Sequence, residues 1–310
     1  MIWKKLDLMI NKSALLISAM VFHAANAQDI PLPQALEITI IRDDSVVVSK
    51  GRQRILEYVF GNVPFKPYVR YLSTPYGINV LRDQPSDHPH HHGLMLGFEV
   101  DGVNFWEEGP SSGHQLHRGI KPHTNGFIET IDWIGPNQKE VLLMEERRIN
   151  VEASHDSVTF VSWESTLTLA PGKSRITLSG SEYHGLGMRF VSSLDRIGTF
   201  VCASADLNDS VPIKRDGKVP LQASWCSYMG EVNSKPVTVA MLDHPGNIRS
   251  VTWFTMSHPF AYLSATLNLN ESPLVITEDH PATFRYAVAL WDARVEPGSL
   301  KRIYQKWVSQ

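Results

Sequence analysis

The chain has 310 residues, with 29 lysines and arginines against 32 aspartates and glutamates, and a formal net charge of −3 at pH 7. This mildly acidic balance argues against a nucleic-acid partner, because a nucleic-acid-binding surface needs a basic stripe. The two cysteines, Cys202 and Cys226, are too few for a disulfide scaffold, and the sequence leaves open whether they form a bridge or stay as buried thiols.

The N terminus has the pattern of a secretory signal peptide. Lys4 and Lys5 precede a short apolar run at residues 14–22, and Ala25-Asn26-Ala27 supplies the small residues for cleavage after Ala27. That run is too short to span a bilayer, and no later stretch is apolar enough to do so. We therefore predict a signal peptide at residues 1–27, a single domain at 28–310, and a periplasmic or secreted protein without a membrane span.

Strand signals follow one another along the rest of the chain. Short β-branched and aromatic runs alternate with turn residues such as Asp101-Gly102 and Pro171-Gly172. Helical periodicity appears only at residues 299–307. Because strands do not alternate with helices, the pattern predicts an all-β fold, a large antiparallel β-sandwich with little helix. The predicted strands cover residues 36–41, 45–48, 54–60, 68–73, 93–100, 104–106, 126–134, 139–151, 157–169, 174–179, 237–242, 250–254, 261–267 and 283–291.

The most unusual stretch, residues 85–94, contains four histidines within five positions, His88, His90, His91 and His92. If this stretch is extended, its side chains alternate, so His88, His90 and His92 share one face and His91 lies on the other. Three imidazoles on one face can bind a divalent metal or exchange protons near neutral pH. A hydrogen-bonded polar turn without chemistry is the alternative.

Two connections, at residues 109–125 and 208–220, are long for hairpin loops, and long loops on a rigid sandwich often carry function. The first contains His114, His117 and His123, so seven histidines lie between positions 88 and 123. A single loop histidine is often only solvated, but this density favours a shared site that includes His117.

Charged residues interrupt a predicted strand at Glu145-Glu146-Arg147-Arg148. Strand alternation places Glu146 and Arg147 on opposite faces. A functional interpretation makes Glu146 a general base and Arg147 an anion clamp, whereas the alternative is a solvated sheet face.

A further group at residues 182–189 combines an acid, a phenol, His184 and Arg189 around two glycines, which allow close backbone approach. Asp243-His244 is a second Asp-His pair. Such a pair can orient an imidazole as a base, although a β-turn with proline explains the same residues. Trp106 and Trp253 are near these groups in the sequence and can stack on a sugar face, although a core position is the commoner role of tryptophan.

With these groups, the chain resembles a secreted bacterial family of unknown function that automatic labels often call "methane oxygenase PmoA". A membrane oxygenase subunit needs several spanning helices, and none is predicted after the signal, so we reject the label. The resemblance covers nearly all of the mature chain. It is carried by Asp87-His88-Pro89-His90-His91-His92-Gly93-Leu94, Asn104-Phe105-Trp106, Glu146-Arg147, Gly185-Leu186-Gly187-Met188-Arg189, and Asp243-His244-Pro245 with Trp253.

The resemblance implies a periplasmic protein of carbohydrate breakdown with a galactose-mutarotase-like supersandwich fold. Enzymes of that superfamily use His, Tyr and Glu for acid–base chemistry on sugars. We therefore predict a carbohydrate-active lyase, dehydratase or hydrolase that acts on an oligosaccharide, with His90, His184 and Glu146 as catalytic residues. The predicted substrate-binding residues are His91, His117, Arg147, Arg189, Asp243, His244, Trp106 and Trp253.

Two alternatives stay open, a non-catalytic sugar-binding protein and an enzyme with a divalent metal at His88, His90 and His92. The enzyme hypothesis requires acid, base and clamp to reach one sugar ring. It therefore predicts that the proposed catalytic residues and Arg189 line one cleft, with Trp106 or Trp253 at its wall and His117 near its rim.

Overall fold

β-Strands make up almost all of the regular structure of the chain. The structure is a computed structural model that describes residues 35–152, 157–204 and 209–310. The predicted signal peptide, residues 1–27, lies outside the described residues, so its cleavage and the boundary at residue 28 stay predictions.

Within the described residues, the strands in chain order are β1 Leu36–Ile41, β2 Ser45–Lys50, β3 Gln53–Val59, β4 Tyr68–Leu72, β5 Leu94–Gly97, β6 Glu99–Val100, β7 Val103–Asn104, β8 His114–His123, β9 Gly126–Ile134, β10 Val141–Glu152, β11 Thr159–Leu169, β12 Arg175–Ser179, β13 Gly185–Arg189, β14 Thr199–Ala203, β15 Ser210–Ile213, β16 Gly217–Lys218, β17 Trp225–Val232, β18 Lys235–Asp243, β19 Thr252–Met256, β20 Tyr262–Thr266, β21 Leu274–Thr277 and β22 Ala282–Trp291. A short 3-10 turn occupies Ser192–Leu194, and helix α1 spans Pro297–Val308.

Helix α1 confirms the predicted C-terminal helix and extends it slightly at both ends. Pro297 occupies its first turn, where a missing backbone N–H costs no hydrogen bond. Across the described part of the chain, no helix has the length and apolar character needed to cross a bilayer.

The strands form three sheets. The first sheet has nine strands in the order β1-β2-β3-β4-β5-β13-β20-β19-β16, and the second has nine in the order β15-β14-β17-β18-β22-β11-β10-β9-β8. A small sheet of four strands has the order β21-β12-β6-β7. Neighbouring strands pair antiparallel, as between β13 and β20 or β18 and β22. The predicted all-β antiparallel sandwich is therefore confirmed.

The two large sheets share one core. Tyr58 of β3 packs on Phe127 of β9 with ring centroids 5.0 Å apart, and on Trp163 of β11 at 6.5 Å. Along β11, buried and partly exposed residues alternate, as expected for a strand with one face in a core. Each fully buried aromatic or aliphatic side chain stabilises such a core by about 1.5–3 kcal/mol.

The first sheet also carries a second apolar layer on its other face. In β5, Leu94 and Leu96 belong to the shared core while Met95 points the opposite way, and β20 repeats this with Leu263 and Tyr262. We call this second layer the outer aromatic layer. Its buried members are Val59, Tyr68, Met95, Trp106, Phe254, Phe260 and Tyr262.

The predicted long loop at residues 109–125 is mostly strand, because β8 pairs with β9 along His114–His123. The prediction of a loop is wrong here, because β8 continues through Gly119 and Pro122, residue types that usually interrupt a strand. β8 is an edge strand, where proline is tolerated, and its register shifts between His117 and Gly119. The other predicted loop, at residues 208–220, contains the short strands β15 and β16.

Cys202 of β14 and Cys226 of β17 are buried thiols that lie opposite each other in the register of the two strands. Their sulfur atoms are 2.7 Å apart.

Candidate functional site

The histidine run is a series of turns between β4 and β5 rather than an extended segment. The backbone N–H of His88 donates to the Pro85 carbonyl, and that of His91 to the His88 carbonyl. These turns place His88, His90 and His91 together at one pocket, while His92 is buried beside it. The predicted alternation of faces is wrong because local turn hydrogen bonds replace strand pairing here.

The pocket has a volume of about 270 Å³ and lies on the outer aromatic layer. Strand alternation in β19 and β20 directs their aromatic side chains to this face, and the histidine turns and the segment after β7 complete the lining. The lining residues are His88, His90, His91, Glu107, Tyr183, Phe254, Met256, Phe260 and Tyr262. Aromatic rings, imidazoles and one carboxylate therefore share a small concave site.

Glu107 is positioned by a local turn. The Asn104 side-chain oxygen accepts the backbone N–H of Trp106 at 2.7 Å and that of Glu107 at 2.8 Å. This turn buries Trp106 completely and leaves Glu107 partly exposed at the pocket.

Glu107 lies beside His90. A Glu107 carboxylate oxygen is 3.4 Å from His90 Nδ1, and the two side chains are 46% and 19% exposed. Burial lowers the pKa of His90, so its imidazole is neutral at pH 7. If the ring proton is on Nδ1, which faces the carboxylate, Nε2 can accept a proton.

Arg189, at the end of β13, lies directly behind His91. Its side chain is 1% exposed and its guanidinium stacks 3.5 Å from the centroid of the Phe260 ring. One amino group is 3.3 Å from His91 Nδ1 and the other donates to Asp87 at 2.8 Å. Burial alone raises the pKa of Asp87, but the hydrogen bond and charge of Arg189 lower it to about 2.

His91 is neutral and has a defined tautomer. Burial, His90, His88 and the Arg189 charge lower the pKa of His91 to about 2. Since the guanidinium can only donate, Nδ1 of His91 accepts and the ring proton resides on Nε2. His91 is therefore a hydrogen-bond donor held in place by a buried cation.

Trp106 and His184 form the next layer behind the lining. Their rings stack at 5.3 Å, and burial, then His90 and Lys66, lower the pKa of His184 to about 4. Trp106 also packs at 6.3 Å on Tyr262. This packing requires Gly187, because a Cβ atom there would collide with the Tyr262 hydroxyl and the Trp106 ring.

Behind the pocket lining, three buried polar atoms have no hydrogen-bond partner among the described residues: Trp106 Nε1, His184 Nδ1 and Arg189 Nε. Buried polar atoms are nearly always paired, so such exceptions need an explanation. Each belongs to a residue that contacts the pocket lining, which is where a polar ligand would be received.

His92 belongs to a buried chain of charged groups next to the pocket. Its Nδ1 and Nε2 are each 2.8 Å from a carboxylate oxygen, of Asp83 and Glu108 respectively. Ionised carboxylates only accept, so both nitrogens carry hydrogens and His92 is an imidazolium. Glu108 also accepts from Lys66 at 2.7 Å, and Asp83 from the Tyr68 hydroxyl at 2.9 Å. We call these five residues the ion chain.

Burial would lower the pKa of His92, but its hydrogen bonds to Asp83 and Glu108 raise it. Burial likewise raises the pKa of Glu108, whereas His92 and Lys66 bring it down to about 2. The ion chain thereby connects the histidine turns to the segment that carries Glu107.

The predicted metal ligands His88, His90 and His92 do not form a ligand set. His92 is held by two carboxylates and is absent from the pocket lining formed by the other two. In residues 35–152, 157–204 and 209–310, no group of three or more His, Cys, Asp or Glu side chains is arranged to hold a metal ion.

Glu146 and Arg147 lie on the second sheet, away from the pocket, so their predicted place in the cleft is wrong. Glu146 is 55% exposed and 3.6 Å from Arg148. Arg147 is fully buried and bonds to Glu145 and to the Tyr58 hydroxyl of the first sheet. Strand alternation places Glu146 and Arg147 on opposite faces of the second sheet, as predicted, but the face that carries Arg147 is the sandwich core and not a cleft.

The Arg147 network joins the two sheets. The Arg147 guanidinium also donates to the Gln115 side chain at 3.0 Å and the Pro67 carbonyl at 3.1 Å. His117 is 2.7 Å from Glu129, which accepts from Tyr58 in turn. His117 is therefore at this network and not at the pocket rim, because β8 belongs to the second sheet.

Asp243, His244 and Trp253 are also outside the pocket lining. Asp243 accepts from the Asn247 amide at 2.7 Å and from the Val251 backbone, which describes a turn. His244 packs against Trp307 of α1 at 5.1 Å. Trp253 faces the shared core and donates to the Ala223 carbonyl at 2.7 Å. Of the predicted residues, His90 and His91 line the pocket, and His184, Arg189 and Trp106 lie directly behind it.

Residues 45–305 match a protein family described as of unknown function, DUF6807. The chain belongs to this family. The match agrees with the resemblance to a family without an established function, and the family's description contains no oxygenase activity. No curated protein is significantly similar to the chain in sequence.

Three solved structures align over most of this DUF6807 chain. An alpha-galactosidase from Lactobacillus brevis shares 8% identity over 86% of this chain and 41% of its own, with a TM-score of 0.49. A putative mutarotase, YeaD, from Salmonella typhimurium is 8% identical in sequence over 83% of this chain and 94% of its own, with a TM-score of 0.33. Heparinase III is 9% identical over 85% of this chain and 36% of its own, with a TM-score of 0.36. The chain spans about two fifths of the galactosidase's length.

Glu107, Phe254, Phe260 and Tyr262 line the pocket of this DUF6807 member but were not predicted from the sequence as site residues. Glu107 had a signal, since it directly follows the Asn104-Phe105-Trp106 motif. Phe260 was notable only as an aromatic residue near the candidate groups. Phe254 and Tyr262 had no signal, because strand alternation alone does not say which face of a sheet carries a pocket.

Proposed function

We propose that this protein is a periplasmic or secreted carbohydrate-active enzyme whose pocket holds a sugar ring while His90 transfers a proton. The observation that supports this most directly is a neutral imidazole beside a carboxylate in a small aromatic-lined pocket. The location rests on the signal-like residues 1–27, and the reaction is that of a lyase, dehydratase or hydrolase on an oligosaccharide.

Binding comes from the mixed lining. Phe254, Phe260 and Tyr262 offer apolar faces against which the C–H surfaces of a sugar can stack. The imidazoles and the Glu107 carboxylate offer donors and acceptors for its hydroxyl groups. Burial raises the pKa of Tyr262, so its phenol stays protonated.

In the proposed reaction, His90 accepts a proton through Nε2 while Glu107 keeps the ring in the correct tautomer. His91 donates its Nε2–H to the substrate oxygen on which negative charge develops. The buried Arg189 cation behind His91 stabilises that charge without becoming a direct ligand. General base catalysis of this kind contributes about 10²–10⁴-fold to the rate.

The test is a screen of the purified protein on plant and algal oligosaccharides for new reducing ends and new unsaturation. Once a substrate is found, His90→Gln should reduce kcat by about 10²-fold or more, and Glu107→Gln by a smaller factor. Glu146→Gln is the matched control, because Glu146 is exposed on the other sheet. Its activity should equal that of the wild type.

Two outcomes would contradict the proposal. If His90→Gln and Glu146→Gln have the same activity, His90 is not the base. If sugars bind at the pocket but none is converted across the panel, the protein is a sugar-binding protein instead.

A further inference from the structure

The charged groups around the pocket are almost all paired with one another. Arg189 is held by Asp87 at 2.8 Å, and its face is covered by Phe260. Lys66 donates to Glu108 at 2.7 Å and to the Trp106 carbonyl at 3.0 Å. Both cations are 1% exposed, so neither presents a free charge to a ligand.

Three imidazoles that line or back the pocket, those of His90, His91 and His184, add no positive charge at neutral pH. Burial is the main cause that lowers the pKa of all three. It lowers the pKa of His90, and it contributes most to lowering the pKa of His91 to about 2 and that of His184 to about 4. The charged imidazolium of His92 is 1% exposed and lies between two carboxylates. The third imidazole of the lining, His88, is paired with the Asp87 carboxylate, which lies 3.4 Å from its Nδ1. The described lining thus contains three imidazoles and no unpaired cation.

Glu107 is the charged residue of the lining that has no oppositely charged partner. Its side chain is 46% exposed, its carboxylate lies at the pocket, and its nearest titratable partner is the neutral His90 at 3.4 Å. A ligand in the pocket therefore meets one negative charge and no free positive charge.

The size of the pocket limits the ligand as well. Pockets that enclose drug-sized ligands have volumes of about 300–1,000 Å³, whereas this one has about 270 Å³. It is therefore large enough for one ring and too small to enclose a chain of several.

We infer that the pocket accepts a single uncharged sugar ring, either free or at the end of a chain, and rejects uronic acids. This rests on the proposed function, since it assumes that the ligand is a sugar. A uronic acid replaces the neutral C6 hydroxymethyl group with a carboxylate. That carboxylate would lie in the same small pocket as the Glu107 carboxylate, and like charges this close repel each other, most at low ionic strength.

The rejection of uronic acids also excludes one reaction class. Elimination lyases that act on uronic acids need the substrate carboxylate to acidify the neighbouring C–H bond. A pocket that repels this carboxylate does not suit such a reaction. Of the three reaction classes, hydrolase and dehydratase therefore remain.

The experiment measures binding of matched pairs by titration calorimetry at low ionic strength. The probes are the methyl glycosides of glucose, galactose and mannose, and the methyl glycosides of their three uronic acids. For the best-bound configuration, the neutral glycoside should bind at least about tenfold tighter than its uronide. Glu107→Gln should reduce this ratio several-fold, whereas the control Glu146→Gln should leave it unchanged.

The outcomes separate this inference from the proposed function. If a uronide binds as tightly as its neutral counterpart and Phe260→Ala abolishes that binding, the pocket is a sugar site but the inference is wrong. An unchanged ratio in Glu107→Gln also overturns it. If none of the six probes binds to the wild type, the proposed function and the inference both fail.

Discussion

Replacing His92 with leucine tests the ion chain directly. The substitution removes the cation that Asp83 and Glu108 share, in a place where the His92 side chain is 1% exposed. Lys66 still neutralises Glu108, but Asp83 keeps only the Tyr68 hydroxyl. Breaking a buried ion pair by removing one partner costs about 3–5 kcal/mol, and we expect a loss of that size in the free energy of unfolding.

The pH dependence has a definite sign. The hydrogen bonds of His92 raise its folded-state pKa above the unfolded value of about 6.5. Its stabilising contribution is therefore complete below about pH 6.5 and is lost as the pH rises through the folded-state pKa. The stability difference between wild type and His92→Leu should shrink on the alkaline side.

Urea unfolding at several pH values measures both effects, and ring-nitrogen NMR reports the protonation of His92. His92→Arg, which keeps a cation with several donors, should recover more than half of the loss. His280 is an exposed histidine, so His280→Leu is the control and should change stability by less than about 0.5 kcal/mol. A neutral His92 at pH 7, or a loss below about 1 kcal/mol in His92→Leu, would refute the reasoning, since that is the value of a surface ion pair.

Three other predictions concern the pocket and the network between the sheets. Gly187→Ala should destabilise the protein by about 1–3 kcal/mol and weaken sugar binding, because its Cβ collides with Tyr262. Once a substrate is known, kcat/KM should fall as the pH drops through the lowered pKa of His90, since the base must be neutral. A profile without any acidic fall, down to the pH at which the protein unfolds, would exclude that role. Arg147→Met should cost about 3–5 kcal/mol in urea unfolding, because Glu145 then stays buried without its cation, and a neutral effect would show that the network is dispensable.

The fold class could be predicted from the sequence because alternation and turn residues are local signals. β11 shows this, with apolar and polar residues alternating over most of its length, and buried and partly exposed positions alternate along most of β10 as well. The strand β13 was not predicted, although the close backbone approach expected at its two glycines is present at Gly185 and Gly187. Local patterns therefore find many strands but not one that is rich in glycine.

Most of the candidate site could not be predicted in this way. The histidine run was noticed for its composition, but its turns reversed the expected faces of His91 and His92. Which distant residues join it depends on the sheet order, in which β5, β13 and β20 are neighbours although far apart in sequence. Glu146 and Arg147 carried an equally strong local pattern, yet β10 lies in the second sheet, so they are part of its surface and core instead.

The pocket is built on the outer aromatic layer, so only the backbone of the first sheet separates the pocket-lining side chains from the shared core. In β20, Tyr262 serves the pocket while its neighbour Leu263 packs between the large sheets. Every second position of this strand can therefore be exchanged to fit a new ligand while the intervening positions keep the scaffold intact. A mutant library designed to change the ligand specificity of this protein should therefore vary the pocket-facing residues of β19 and β20 and keep the residues between them.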